Sequence, residues 1–288
     1  MKSVFAKTGD GTITLTVSIP KKTIDEAYQK KVEEFVQNLE LKGFRKGKVP
    51  GDVALKNLDK SKVYEEVIKT VIPASYIEAL KEHNLSPILQ PEIKLAKAKE
   101  GEDWQFTAKT CEKPRVNLGD YKAEVQKIQG ELKKDQIWVP GKPEKEKEDP
   151  QKVRERKLAL ALEALLKSAK AAIPEIILET EITQRMTKLV DELNKLGLTV
   201  DKYLQTKGKT AEQFQAETRA EIEKNYKLEF VLEELADSES ITVSAEDLKK
   251  VLAEIKDPKE KDALEKQRYY LASLLRRQKT LDKLLSLL

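Results

Sequence analysis

Between Thr12 and Ile19 the chain alternates strictly: Ile13, Leu15, Val17 and Ile19 are apolar, while Thr12, Thr14, Thr16 and Ser18 carry hydroxyls. Successive side chains of a strand point to opposite faces, so this pattern predicts a half-buried β-strand. With residues 4–7 before it and Thr8-Gly9-Asp10-Gly11 between, it predicts a β-hairpin that Pro20 ends. The period then changes. Ile24, Tyr28, Val32, Phe35, Val36 and Leu39 recur at helical spacing over 23–42, which predicts an amphipathic helix. A short helix over 52–58 and a longer one over 61–83 follow, with Ser61 as the expected N-cap and Pro73 expected to kink or break the second. Strand-like runs over 92–98, 104–111 and 121–128 complete the region, the first two joined by a turn at 100–103. The prediction for 1–129 is an α+β domain, a sheet with helices and a basic loop.

Beyond residue 150 the pattern is helical throughout. Leu158, Leu160, Leu162, Leu165 and Leu166 lie in a strong helix-forming stretch over 152–172, which Ile173-Pro174 breaks. Pro174 then suits the first turn of a helix over 175–196, with Ile177, Ile182, Met186, Leu189, Val190 and Leu193 apolar and Gly197 at its end. A short helix over 200–205 precedes one capped by Thr210 and reaching 235, with Phe214, Ile222, Tyr226, Phe230 and Leu235 on its apolar side. Ser244-Ala245-Glu246-Asp247 resembles a capping box and opens a helix over 247–255. In the last helix Leu264, Leu271 and Leu285, and also Leu274, Leu281 and Leu288, fall at multiples of seven. This seam is expected to pack on neighbouring helices rather than form a dimeric coiled coil. The prediction for 151–288 is an extended all-α domain. Between the two, residues 130–150 hold Pro140, Gly141, Pro143 and Pro150 with a run of alternating Lys and Glu, the composition of a solvated linker. Its one apolar island, Ile137-Trp138-Val139, reads as an anchor on a neighbouring domain or as a substrate contact.

Composition narrows the function classes. Bases and acids nearly cancel, 54 against 50, for a net charge of +4. A dedicated nucleic-acid binder usually shows a larger excess. Charged residues make up 36 % and aromatics only 6 %, which favours long helices with heavily charged surfaces. A single cysteine, Cys111, and a single histidine, His83, exclude an internal disulfide and a Cys/His zinc site. Cys111 is expected to be a small buried residue, and His83 a surface residue near a helix C-terminus. No apolar run suits a signal peptide or the ~18 residues of a membrane span. No phosphate-binding G-x-x-x-x-G-K-[ST] run occurs. A non-enzymatic, ATP-independent, cytoplasmic protein without cofactors is expected.

Charge is uneven in one place. Lys42, Arg45, Lys46 and Lys48 cluster with no acid between Leu41 and Gly51. Gly43 and Gly47 permit positive φ there, and Phe44 is apolar in a segment that turn chemistry puts at the surface. A helix connection, with Gly43 as cap, Gly47 as turn residue and Pro50 opening the next helix, explains the glycines and the proline. It leaves the exposed Phe44 unexplained. A basic tip with a projecting ring suits a phosphate-rich surface or an acidic partner.

Gly43-Phe44-Arg45-x-Gly47-x-x-Pro50 resembles the ribosome-docking signature of trigger factor, the bacterial ribosome-associated chaperone. The segments around Ile173-Pro174-Glu175 and 241–247 resemble its helical C-terminal domain, in which arms hang from a central body. The resemblance implies that Phe44, Arg45 and Lys46, supported by Gly43, Gly47, Lys48 and Pro50, face the large ribosomal subunit near the peptide exit tunnel. Nascent and unfolded polypeptides are then the expected partners, with a homodimer as a further one. The family usually carries a prolyl isomerase domain of on the order of 100 residues between the two parts. The linker over 130–150 stands in its place, so no isomerase activity is expected. Candidate contacts for unfolded chains on the helices are Ile177, Met186, Leu189, Tyr203, Phe214 and Tyr226, each with a core role as the plain alternative. Two competing classes remain: an RNA-binding or ribosome-assembly factor using loop 42–48, and a helical adaptor that dimerises.

Overall fold

The computed structural model describes residues 1–38, 58–135, 149–254, 262 and 264–288. The basic loop 43–50, most of the expected helix 52–58, the apolar island 137–139 and the end of the helix over 247–255 lie outside the described residues. The chain divides into two compact units, Met1–Lys113 with Pro174–Ile177, and Pro114–Ile173 with Leu178–Leu288. Residues 114–129, expected in the first domain, fold with the second unit.

In the first unit, β1 (Lys2–Lys7), β2 (Thr12–Ile19), β3 (Glu92–Lys97) and β4 (Trp104–Cys111) form an antiparallel sheet in the order β1-β2-β4-β3. The register sets Leu15 opposite Ala108 and Val17 opposite Phe106, so the alternating apolar residues of both central strands share one face. The helices α1 (Lys21–Asn38) and α2 (Lys60–Glu82) pack on that face. Ile13, Leu15, Trp104 and Phe106 are sealed there with Val63, Val67 and Tyr76 of α2. A ladder of rings, Tyr28 to Tyr64 at 4.7 Å and Tyr64 to Trp104 at 6.1 Å, ties both helices to the sheet. Cys111 is buried as expected, which pushes its thiol up to about 11.

Two helix expectations need correction. The cap of α2 is Asp59, whose carboxylate accepts from the Ser61 amide at 3.0 Å, and Ser61 lies inside the first turn. The helix also runs unbroken through Pro73. Pro73 sits on the exposed side, while Val71, Ile72, Ser75 and Tyr76 anchor the turns around it in the core. Tertiary packing thus outweighs the local cost of the missing amide. His83 follows as the C-cap, half-buried rather than free on the surface, with its ring 4.8 Å from Phe5 and Nε2 2.9 Å from Ser3 Oγ.

In the second unit, the expected strand over 121–128 is instead part of a helix, α3 (Tyr121–Asp135). Asp120 accepts from the Ala123 amide at 3.1 Å and starts it. Tyr121, Val125 and Ile128 fall four and three apart, which is a helical stripe, and they pack with Ala161, Leu165, Val231, Leu235 and Leu284. The helix α4 (Pro150–Ser168), capped by Asp149, stops four residues before the expected 172. It stops because Lys170–Ala171 (β6) pairs with Val116–Asn117 (β5) in a two-stranded sheet. The helices α5 (Glu175–Lys195), α6 (Val200–Lys207), α7 (Ala211–Ser238), α8 (Ala245–Glu254) and α9 (Arg268–Leu285) complete the unit. On α9 the leucine seam packs on neighbouring helices at Leu281 and beyond the helix at Leu288, and Leu271 is buried, but Leu274 is not. An α+β N-terminal part followed by an all-α remainder is the fold class that the hydrophobic patterning predicts.

Candidate functional site

The helices α5, α6 and α7 enclose an open groove of about 450 Å³. Local sequence builds it from capped ends. The left-handed Gly197 (φ 68°) lets the chain turn after α5, with the Leu198 amide donating back to the Leu193 carbonyl at 2.9 Å. Thr199 caps α6, accepting from the Lys202 amide. Gly208 (φ 64°) ends α6 in the left-handed conformation that only a residue without Cβ adopts cheaply. Thr210 then opens α7 with a capping box: its side chain accepts from the Gln213 amide at 3.2 Å, and Gln213 accepts from the Thr210 amide at 3.0 Å. Two tight turns fix three helices around one space.

The lining follows helical periodicity. Arg185, Lys188, Leu189 and Glu192 on α5, and Phe214, Glu217, Thr218 and Glu221 on α7, each fall at i, i+3, i+4 and i+7. Met186 and Tyr203 close the floor. Tyr203 and Phe214 meet edge-to-face, with centroids 6.0 Å apart, the arrangement favoured by the ring quadrupoles. Met186, Leu189, Tyr203 and Phe214 are all half-buried, so the apolar floor keeps contact with water. Four of the six sequence candidates therefore converge on one groove.

Charges ring that floor, four bases against three acids. Arg185 pairs with Glu221 at 3.1 Å, and Lys209 pairs with Glu217. Lys207 Nζ lies 5.8 Å above the Tyr203 ring. Such surface pairs add about 0–1 kcal/mol each. Their larger effect is geometric: long charged stems flank the apolar floor while their heads remain solvated. The remaining two candidates sit elsewhere. Ile177, in the part of α5 that belongs to the first unit, is only 3 % exposed. Tyr226 donates to Glu181 Oε1 at 2.8 Å, and burial, then the Glu181 carboxylate, push its phenol above its ordinary value. It is a neutral strut between α7 and α5. Sequence reading missed the rim residues Arg185, Lys207, Lys209, Glu217 and Glu221, although their spacing relative to Met186, Leu189 and Phe214 was visible.

The groove has no histidine or cysteine. Among the described residues no group of three His, Cys, Asp or Glu is placed to hold a metal ion, and no helix is long and apolar enough to cross a membrane. What this arrangement offers is reversible contact: half-exposed apolar and aromatic surface in a charged frame. The loop candidates Gly43, Phe44, Arg45, Lys46, Gly47, Lys48 and Pro50 lie outside the described residues.

Comparison with known proteins agrees along the chain. Residues 1–138 match the family model described as bacterial trigger factor protein, and residues 142–286 match that of its C-terminus. The trigger factor of Lactococcus lactis subsp. lactis (strain IL1403) is 39 % identical over 118 residues, which is 41 % of this chain and 28 % of the relative. The chain thus covers about 28 % of the first relatives it matches. The trigger factor of Streptomyces avermitilis is 26 % identical over 378 positions, covering 86 % of this chain and 81 % of the relative. That alignment is longer than the 288-residue chain. The aligned part of the relative therefore holds on the order of 100 residues more than the aligned part of this chain, the size of a small domain. A solved structure, from work on promiscuous substrate recognition in the folding and assembly activities of the trigger factor chaperone, shares the fold. Its TM-score is 0.65, at 16 % identity, over 99 % of each chain.

Proposed function

We propose, starting from the fact that this chain belongs to the bacterial trigger factor family, that it is an ATP-independent chaperone without prolyl isomerase activity. It docks on the large ribosomal subunit near the peptide exit through Phe44, Arg45 and Lys46. It holds nascent or unfolded chains on apolar helix surface, the α5–α7 groove foremost, and acts in the cytoplasm. The observation that carries this reading is the match to both family models with only residues 139–141 between them. That spacing supports a chain in which no isomerase domain separates the two parts.

The groove supplies the physical means. Met186, Leu189, Tyr203 and Phe214 present apolar surface that folding has not consumed. An unfolded segment gains by covering that surface, at about 25 cal/mol per Å², and loses the gain once it buries its own core. Binding is then weak and self-terminating, with no nucleotide needed. The 36 % charged composition keeps the free protein soluble while such surface is exposed.

Co-sedimentation with large ribosomal subunits tests the docking half. Phe44→Ala with Arg45→Ala and Lys46→Ala is expected to abolish co-sedimentation at unchanged helicity, and undiminished binding rejects the loop assignment. Tight binding of free RNA by the wild type, lost in the same variant, supports the RNA-binding alternative instead. Acceleration of cis/trans isomerisation in a proline-containing test peptide above buffer refutes the absence of isomerase activity.

A further inference from the structure

Two tyrosines of the first unit meet ring against ring. Tyr28 of α1 and Tyr64 of α2 have centroids 4.7 Å apart, with ring planes inclined at 37°. At that separation ring carbons of the two phenols are in van der Waals contact. Both rings lie at the rim of the core, packed against its sealed residues yet only half-buried themselves. Each helix sets its ring by the stripe it belongs to: Tyr28 falls four positions after the buried Ile24, and Tyr64 three before the buried Val67. Among the described residues these are the only two tyrosine rings in contact with each other.

The surroundings suit one-electron oxidation. A phenol that gives up an electron must also release its proton. The Tyr64 hydroxyl donates to the Glu100 carboxylate, so an acceptor is already in place. Burial, then the charge of Glu100, push the Tyr64 phenol up to about 12, so it carries that proton at neutral pH. The Trp104 indole lies 6.1 Å from the Tyr64 ring and is sealed in the core. An oxidised indole there takes an electron from Tyr64, which moves the oxidation outward to the tyrosine pair. The thiol that would compete is sealed as well. Cys111 is the one cysteine of the chain, fully buried, and burial keeps its thiol protonated and unreactive.

We propose that Tyr28 and Tyr64 form an oxidative cross-linking site: a small one-electron oxidant couples them into a dityrosine that staples α1 to α2, with Glu100 taking the Tyr64 proton. Each phenol loses one electron to the oxidant and one proton, from Tyr64 to Glu100 and on to water, from Tyr28 to water directly. The two phenoxyl radicals join through a carbon–carbon bond between the ring positions ortho to the oxygens. The hydrogens on those carbons shift to the oxygens and restore both phenols. In sum, two molecules of oxidant gain one electron each and two protons are released. The bond closes a covalent loop over residues 28–64. Such a loop restricts the unfolded chain as a disulfide does, in a protein whose single cysteine excludes an internal disulfide. This inference is independent of the chaperone reading and rests on different residues.

Azide radicals, generated radiolytically in a dilute solution of the full chain, test it. These radicals take one electron from tyrosine or tryptophan and become azide. After proteolysis, mass spectrometry is expected to find the peptides of Tyr28 and Tyr64 joined, and lighter than their sum by two hydrogen atoms. Dityrosine fluorescence is expected in chains of single-copy mass. Tyr28→Phe and Tyr64→Phe keep the ring packing, and each is expected to lose most of that fluorescence at unchanged circular dichroism. Glu100→Gln, at the surface, is expected to lower the yield several-fold. The cross-linked chain is expected to unfold at a higher urea concentration than the untreated one. The proposal is overturned if no joined peptide forms, or if both phenylalanine variants fluoresce as the wild type does, which places the coupling at exposed phenols such as Tyr269. A yield indifferent to Glu100→Gln, or a cross-linked chain no more resistant to urea, also overturns it.

Discussion

The sheet core of the first unit and the α5–α7 groove use the same kinds of residue to opposite ends. In the core, Trp104 and Phe106 are sealed by α1 and α2, and every apolar position of β2 is buried. In the groove, Tyr203 and Phe214 meet in a favourable ring contact yet stay half-exposed. The difference lies in what surrounds them. Core residues alternate with hydroxyl residues along β2, and the helices cover the apolar face of the two central strands, while Phe5, Ile93 and Leu95 on the edge strands stay exposed. Groove residues share their helix stripes with Arg185, Lys188, Glu192, Glu217 and Glu221, whose charged heads must remain in water. Charge within the stripe stops the three helices from closing over the floor. Apolar surface is therefore spent on stability in one region and left over for contact in the other.

This contrast makes graded predictions, read by urea denaturation. Phe106→Ala removes a sealed ring and is expected to cost about 3–5 kcal/mol of stability. A smaller loss refutes the view of a close-packed core. Asp10→Ala follows at about 1–3 kcal/mol. The Asp10 carboxylate, in the β1–β2 turn, accepts from the Thr12 amide at 3.2 Å, the Thr12 hydroxyl at 2.7 Å, the Thr8 hydroxyl and the Glu175 amide at 2.9 Å. Burial alone raises the pKa of Asp10, but these hydrogen bonds outweigh it and hold the group well below the usual carboxylate range. A depressed folded value means that the contribution is fully present above the unfolded value of ~3.9 and lost as pH falls below it. Between about pH 5 and pH 2 the wild type is therefore expected to lose stability faster than Asp10→Asn. Parallel pH profiles contradict that assignment.

Thr210→Ala breaks the capping box at the start of α7 and is expected to cost about 1 kcal/mol. The loss is expected to be concentrated in the hydrogen-exchange protection of the first turn of α7. Uniform loss across the helix contradicts a local cap. At the small end, Leu189→Ser with Phe214→Ser is expected to change stability by less than about 2 kcal/mol, because both side chains are already partly in water. A loss as large as that of Phe106→Ala makes the groove an ordinary core.

These elements also show where patterning speaks and where it is silent. Strict alternation made β2 legible, and Thr210 marked the start of α7, whereas the helix after Ser244 begins at Ala245, two residues before the expected 247. Tyr121, Val125 and Ile128 were misread as a strand because a short apolar run fits both periods. Only the packing of α3 on α4 and α7 decides between them. Pro73 was expected to kink or break α2; the helix does not break, and the buried residues on either side of Pro73 hold it together. The trans-acting cap from Asp10 to Glu175 joins positions 165 apart in sequence, and no local pattern encodes such a pair. For the groove, Met186, Leu189, Tyr203 and Phe214 were visible as apolar positions. Their convergence was not, because it depends on two left-handed glycines, Gly197 and Gly208, that fold α5, α6 and α7 together.

The central claim is that apolar surface left open in the α5–α7 groove holds unfolded chains. Light scattering from an aggregating unfolded protein, with and without the Leu189→Ser/Phe214→Ser variant, tests it most directly. The account predicts that wild type suppresses aggregation and that the variant does so several-fold less well, while its fold and its ribosome co-sedimentation are unchanged. Suppression by the variant equal to that of wild type contradicts the claim.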